Sequence, residues 1–416
     1  MPLQSSASGA AAPTVRSLWA MLAALCMAFM LSQAYRTAAA MMASRLQAEF
    51  SLSPQQLGSY AGAFHFAFGA MQLFMGLGID LHGVRKTVLT SFPVAIVGAL
   101  LSAFAHSYAM LVLGQVLIGV GCAAAFLVCT VFITRHFPQE RFASVSGMVL
   151  GIGGGGMLLT ATPLAWVVQE ASWRAGFMML AGLSVLAWLV IFIRVREPAQ
   201  GQERRHESLA AALRGLGALL LLPHTLGIMA LGAVTYAAFM ALRGLWLGPL
   251  LIGRYGYTLV QSGNVALLVS VVSLFGPPLF GRFGPQGAGR RRCIIAFTLA
   301  LIALFAVMAM APNSAVVVGC SVLVGFLSGF VVLQYADVRA SYPVAQIGRA
   351  MALLNMAMFL GVALVQWLSG VVASAAPAWH ADPHSAALTL IAAMLTAGVL
   401  AFALLPAPRA GQDVIR

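Results

Sequence analysis

Two charged residues sit deep inside long apolar runs: Arg36 in "LSQAYRTAAAMM" and Arg243 in "YAAFMALRGLWLGPLL". A guanidinium stays protonated at any ordinary pH, and its planar fork of N–H donors matches a carboxylate or a phosphate. Arg243 follows Arg36 by 207 positions, a spacing that other segments share. The ten acids are Glu49, Asp80, Glu140, Glu170, Glu197, Glu203, Glu207, Asp337, Asp382 and Asp413. Of these only Asp337 touches an apolar run, near its end. One such arginine is satisfied equally well by helix carbonyls or by reaching to the membrane interface. Two desolvated cations at one repeat offset, without counter-ions, point instead to an anion held between them.

Other polar side chains fall where they could line the same site. Gln33 precedes Arg36 by about one turn and Tyr35 adjoins it. His65 and Gln72 share one helix face, as do Tyr236 and Arg243, and Asn355 and Gln366. Gln115 occupies a further apolar run. Interhelical hydrogen bonding is the competing use for each of them. His65 is the side chain in mid-run whose ordinary titration lies nearest neutrality, so it is the first candidate if protons move. The five cysteines lie in apolar surroundings without metal or CxxC spacing. No Ser–Lys dyad and no phosphate-cradling glycine loop with a lysine occurs. The expectation is therefore no catalytic residue, no metal, no cofactor and no ATP-driven step.

The elements that must position these residues follow from composition. Of 416 residues, 61% are hydrophobic and only 8% charged, against roughly a quarter charged in soluble domains. Apolar stretches of about 20 residues recur along the chain, each sufficient to span hydrocarbon as a helix. The predicted fold is an all-α polytopic membrane protein. Its twelve transmembrane helices run over about 17–44, 55–77, 87–105, 108–134, 142–168, 173–194, 222–252, 259–281, 291–311, 315–337, 347–373 and 386–406. Residues 1–16 and 407–416 form tails. A polar linker, 196–221, separates six-helix bundles over 17–195 and 222–406. Of the 23 Lys and Arg residues, 18 fall in the tails and loops on the N-terminal side; three (Arg45, Arg174, Arg254) fall opposite. The positive-inside rule then puts both termini in the cytoplasm of a plasma-membrane protein and accounts for the net charge of +13 without nucleic acid. Pro138 and Pro343 are 205 apart, and Trp173 and Trp379 are 206 apart. That offset predicts two pseudo-symmetric bundles with a site between them.

With these features the chain resembles the major facilitator superfamily. The most specific segment is "GLGIDLHGVRKTVLT", with Gly76, Asp80, Gly83, Arg85 and Lys86 in the order of that superfamily's loop signature. "WRAGF" at Trp173–Phe177 and the Pro343–Arg349 segment are also similar. The resemblance implies a twelve-helix carrier working by alternating access, in which Asp80, Gly83, Arg85 and Lys86 form a gate. Paired arginines on helices 1 and 7 resemble the organophosphate exchangers of the superfamily. The expected substrate is a small anion, carboxylate- or phosphate-bearing, moved by exchange or with protons by a monomer in the bilayer. The alternative is a multidrug or other solute exporter, which calls for membrane acids that are missing here. The chain departs from the superfamily pattern at Gln115, where many members carry an arginine. It departs again in "GMVLGIGGGGMLL", which lacks the Gly-Pro pair of drug–proton antiporters. Gly147, Gly151 and Gly155, every four residues, predict the close-packing stripe of that helix.

Overall fold

The structure, a computed structural model, describes residues 15–196, 214, 217–285, 287–311 and 313–406. The predicted tails and most of the linker lie outside them. The described residues form helices without strands, and eleven helices are long and apolar enough to cross a membrane. Large apolar side chains such as Phe66, Phe192 and Phe275 face outward, as hydrocarbon surroundings require.

The predicted spans 2 and 3 are one element, α2 (Pro54–Ala103), of 50 residues. At about 1.5 Å per residue a straight helix of that length would reach roughly 75 Å, more than twice the hydrocarbon thickness. The chain turns at Gly83, whose φ of 81° and ψ of 171° belong to a region used in practice by glycine alone. The predicted connecting loop shrinks to this residue.

The remaining first-half elements are α1 (Val15–Phe50), α3 (Tyr108–Cys122), α4 (Ala125–His136), α5 (Phe142–Leu159), α6 (Thr162–Glu170) and α7 (Trp173–Arg194). The second half holds α8 (Pro223–Ala241), α9 (Leu247–Tyr255), α10 (Leu259–Ser273), α11 (Gly276–Phe283) and α12 (Ala288–Met310). It continues with α13 (Ser314–Leu327), α14 (Val331–Ser341), α15 (Val344–Ala375) and α16 (Pro383–Leu404). A π-helical turn, Leu242–Trp246, joins α8 to α9 and contains Arg243; such bulges concentrate at functional sites.

Local sequence sets these boundaries. Ser53 Oγ accepts from Gln56 N at 3.2 Å while Gln56 Oε1 accepts from Ser53 N at 2.9 Å, a capping box at the start of α2. Thr258 and Gln261 repeat it at α10, at 3.1 and 2.9 Å. Ser107 caps α3 and Asn313 caps α13 with a single bond each, the side-chain oxygen accepting from Met110 N at 3.3 Å and from Val316 N at 3.1 Å. Pro163 in the first turn of α6 cannot donate to the carbonyl four residues back, so α5 ends at Leu159. The two halves of the chain meet where α2 lies along α15, α6 along α10, and α1 along the π-turn and α9.

Candidate functional site

Arg36 projects from α1 into this seam and is 6% exposed. Its guanidinium lies 4.5 Å from the Phe68 ring centre on α2 and 4.7 Å from that of Phe359 on α15. Aromatic faces attract a desolvated cation by about 1–2 kcal/mol each. One terminal nitrogen donates to the Tyr236 hydroxyl on α8 at 3.4 Å. Nε is buried without a hydrogen-bond partner. Among the described residues no carboxylate pairs with Arg36. One arginine is thus held by α2, α8 and α15 while an N–H donor stays unused.

Arg243 is 0% exposed and differently engaged. Its Nε donates to Ser270 Oγ on α10 at 2.9 Å, and a terminal nitrogen donates to the Met157 carbonyl on α5 at 3.0 Å. That carbonyl is available because α5 is breaking: Ala161 N turns to Leu158 O at 3.2 Å instead of continuing the helix. Arg243 therefore links the two halves through a helix end. Its other terminal nitrogen is buried without a partner. Close helix approach brings the two arginine segments together, since a Cβ on Gly244 would lie 3.0 Å from the Arg36 carbonyl oxygen. The pair shares one seam in unlike surroundings, a half-satisfied Arg36 and a more firmly bonded Arg243.

The other predicted residues divide in two. Tyr236 meets Arg36 directly, and His65 and Gln366 lie in the adjoining buried layer; His65 Nε2 and Gln366 Oε1 lack hydrogen-bond partners, as does Gln33 Oε1. Asn355 accepts from the Tyr335 hydroxyl, and Phe359 stands one turn on from it. Three residues instead bond elsewhere. Tyr35 pairs with Ser184 of α7 at 3.0 Å, Gln115 donates to the Tyr60 hydroxyl at 3.0 Å, and Gln72 donates to the Ala123 carbonyl at 3.2 Å, where α3 gives way to α4. A helix separates neighbours by about 100°, so Arg36 and Tyr35 cannot both face the seam.

Sequence reasoning missed Phe68 and Phe359. Their signal is spacing: His65, Phe68 and Gln72 fall on one face of α2, and Asn355, Phe359 and Gln366 on one face of α15. The predicted glycine stripe is also displaced. A Cβ on Gly147 or Gly151 would meet nothing within 4 Å, whereas one on Gly156 would lie 1.8 Å from the Met30 carbonyl oxygen. The close contact of α5 with α1 runs through Gly153 and Gly156, and it is followed by a Thr37–Thr160 hydroxyl pair at 2.6 Å.

At the end of the spans where Gly83 turns, Asp80 and Lys86 are exposed. Arg85 donates to the carbonyls of Val195 at 2.6 Å and Phe192 at 3.1 Å, closing the C-terminus of α7. At the same end of the second half, Asp337 is buried between Arg290 at 3.5 Å and Arg291 at 3.8 Å. The opposite end carries Arg174, bonded to Glu49 at 2.8 Å and to the Ala105 carbonyl at 3.1 Å. Arg254 repeats this with Asp382 at 3.7 Å and the Ala311 carbonyl at 3.4 Å. Among the described residues no group of three or more His, Cys, Asp or Glu could hold a metal ion.

Comparison with known proteins adds four findings. A family model described as the Major Facilitator Superfamily matches residues 21–331 and again 263–416. The hexuronate transporter of Escherichia coli K12 is 24% identical over 386 residues, 85% of this chain and 87% of that one. A probable sulfoacetate transporter of Cupriavidus necator is 26% identical over 171 residues, which span 41% of this chain and 40% of its own length. Among solved structures, a D-xylose–proton symporter superposes with a TM-score of 0.71 over 94% of this chain and 98% of that one, at 13% identity; this likeness is one of fold.

Proposed function

The chain belongs to the Major Facilitator Superfamily and is a carrier rather than an enzyme, and from that premise we propose that it moves a small organic anion across the plasma membrane by alternating access. The observation that carries this reading is Arg36: a buried, permanently charged guanidinium clamped between Phe68 and Phe359, without a carboxylate and with its Nε–H unused. A carboxylate supplies the missing charge and acceptors together. Relatives named for hexuronate and sulfoacetate support an organic acid as cargo. Tyr236, Asn355 and Tyr335 are neutral hydrogen-bonding groups around the same seam and suit a hydroxylated substrate. Arg243 supports the site by holding α5 and α10 at the point where Arg36 enters.

Two six-helix bundles form the frame of this reading, with α2 counted as two spans about Gly83. Four features at near-constant offset support the repeat: the Ser53 and Thr258 caps, the Ser107 and Asn313 caps, the Ala105 and Ala311 carbonyls that accept from Arg174 and Arg254, and the two buried arginines. With the cationic face inside, the contacts of α2 with α15, α6 with α10 and α1 with α9 close the outer end. Asp80, Gly83, Arg85 and Lys86 then stand at the inner gate. The test is counterflow of labelled D-glucuronate in proteoliposomes, challenged with unlabelled D-glucuronate or D-glucose. Competition by the acid and not by the neutral sugar is expected; equal competition by D-glucose would remove the anion site.

A further inference from the structure

The two limbs of α2, on either side of Gly83, line a crevice of about 410 Å³ to which α3 contributes Val120. That is room for roughly a dozen waters, more than one phosphate ion takes. The crevice changes character along its length. His82, Lys86 and Thr87 stand beside the turn, and Met75, Val94 and Val120 stand away from it. From Lys86 to Val94 the helix rises about 12 Å. Leu81 and Val97, three residues on from Gly78 and Val94, are exposed apolar side chains, so the crevice opens beside the surface that meets hydrocarbon. Two hydroxyls at the polar end are committed: Thr87 Oγ1 donates to the Gly83 carbonyl at 2.8 Å and Thr90 Oγ1 to the Lys86 carbonyl at 2.9 Å, the ordinary use of a hydroxyl within a helix. Ser91 differs. It is 7% exposed, and its Oγ is buried without a hydrogen-bond partner, a cost that an acceptor in the crevice would relieve. Arg85 is held by carbonyls at the end of α7, which leaves Lys86 as the cation at the crevice. Lys86 is also the single lysine among 23 basic residues. Its compact ammonium on a flexible stem can follow a phosphate at the boundary of water and hydrocarbon.

We propose that this crevice binds one anionic phospholipid. Lys86 and His82 hold the phosphodiester, and Ser91, about 7.5 Å further along the limb, donates to an oxygen of the glycerol esters. The first part of an acyl chain lies against Met75, Val94 and Val120. Free phosphate would use the polar mouth alone and leave the apolar walls wetted, whereas a lipid fills both ends. Among the described residues that line the crevice none is acidic. A headgroup ending in an ammonium would therefore stand beside Lys86 with no carboxylate there to receive it. The fitting headgroup carries net negative charge, as that of phosphatidylglycerol does. A lipid seated here braces the two limbs of α2 across the Gly83 turn.

The single lysine makes the test specific, because an amine-directed acetylating reagent reports on this side chain and no other. The full chain is placed in phosphatidylcholine nanodiscs with or without phosphatidylglycerol, and acetylation of Lys86 is followed by mass spectrometry of its peptide. Phosphatidylglycerol should slow the reaction by about fivefold, the effect of one basic contact with an anionic headgroup. Phosphatidylethanolamine, or inorganic phosphate added to phosphatidylcholine discs, should leave the rate unchanged. Val94→Trp plugs the apolar end without touching the charge and should restore the fast rate in phosphatidylglycerol; Ser91→Ala should restore part of it. Melting in detergent identifies which variants are folded, and either one alone decides the outcome. Undiminished slowing in a folded variant would reduce the effect to diffuse attraction by a charged surface and overturn the proposal. Equal slowing by inorganic phosphate would make the crevice a free-anion site, equal slowing by phosphatidylethanolamine would remove the charge selection, and no slowing by phosphatidylglycerol would remove the site; each overturns it.

Discussion

Gly156→Ala puts the packing of α5 on α1 to the test. The added Cβ would stand 1.8 Å from the Met30 carbonyl oxygen and 2.8 Å from the Ala34 nitrogen. Both are backbone atoms in the middle of a helix, so no rotamer change relieves the contact. The helices must move apart by more than 1 Å before an ordinary van der Waals distance returns. Overpacking of this kind costs about 1–3 kcal/mol. The separation also strains the Thr37–Thr160 hydroxyl pair at 2.6 Å and shifts the Met157 carbonyl that holds Arg243. Gly147→Ala is the control: its Cβ meets nothing within 4 Å, and alanine favours a helix over glycine by up to about 1 kcal/mol. Thermal melting in detergent, followed by intrinsic fluorescence, should show Gly156→Ala melting several degrees below wild type and Gly147→Ala at or above it. Counterflow should fall only in the first. Equal melting of the two variants would refute the packing argument.

Other consequences are as definite. Gly83→Ala forces a side chain into φ 81°, ψ 171°, which costs about 1–3 kcal/mol and should appear as a lowered melting temperature. Asp337→Asn leaves Arg290 and Arg291 sharing a buried site without a carboxylate; a loss of about 3 kcal/mol is expected, read from the same melts. Glu49→Gln breaks a 2.8 Å pair whose partners are 35% and 41% exposed, so less than about 1 kcal/mol is expected. Phe68→Leu removes one aromatic face from Arg36, worth about 1–2 kcal/mol, and should weaken D-glucuronate binding by roughly tenfold.

Length and hydropathy were enough to read an all-helical membrane chain, because a helix that crosses hydrocarbon announces itself by its apolar run. The buried arginines were legible for the same reason, as charge is scarce there. What escaped was everything set by helix phase and helix ends. Tyr35 adjoins Arg36 in the chain yet turns about 100° away to Ser184. The glycines at 147, 151 and 155 look like a packing stripe, but the break before Pro163 and the position of α1 select 153 and 156. Arg243 reads as a twin of Arg36, and only the opened end of α5 reveals the Met157 carbonyl that engages it. The loop predicted between spans 2 and 3 reduces to Gly83 because a single glycine suffices for the turn.

The most direct measurement of the central claim is the affinity of purified protein for D-glucuronate, by calorimetry, in wild type, Arg36→Lys and Arg36→Ala. Arg36 offers a planar fork held by Phe68, Phe359 and Tyr236, and a charge-assisted bond there is worth about 1.5–3 kcal/mol. The account predicts a loss of roughly tenfold or more in Arg36→Ala and a substantial loss in Arg36→Lys, because an ammonium keeps the charge without the fork. Wild-type affinity in Arg36→Ala would contradict it.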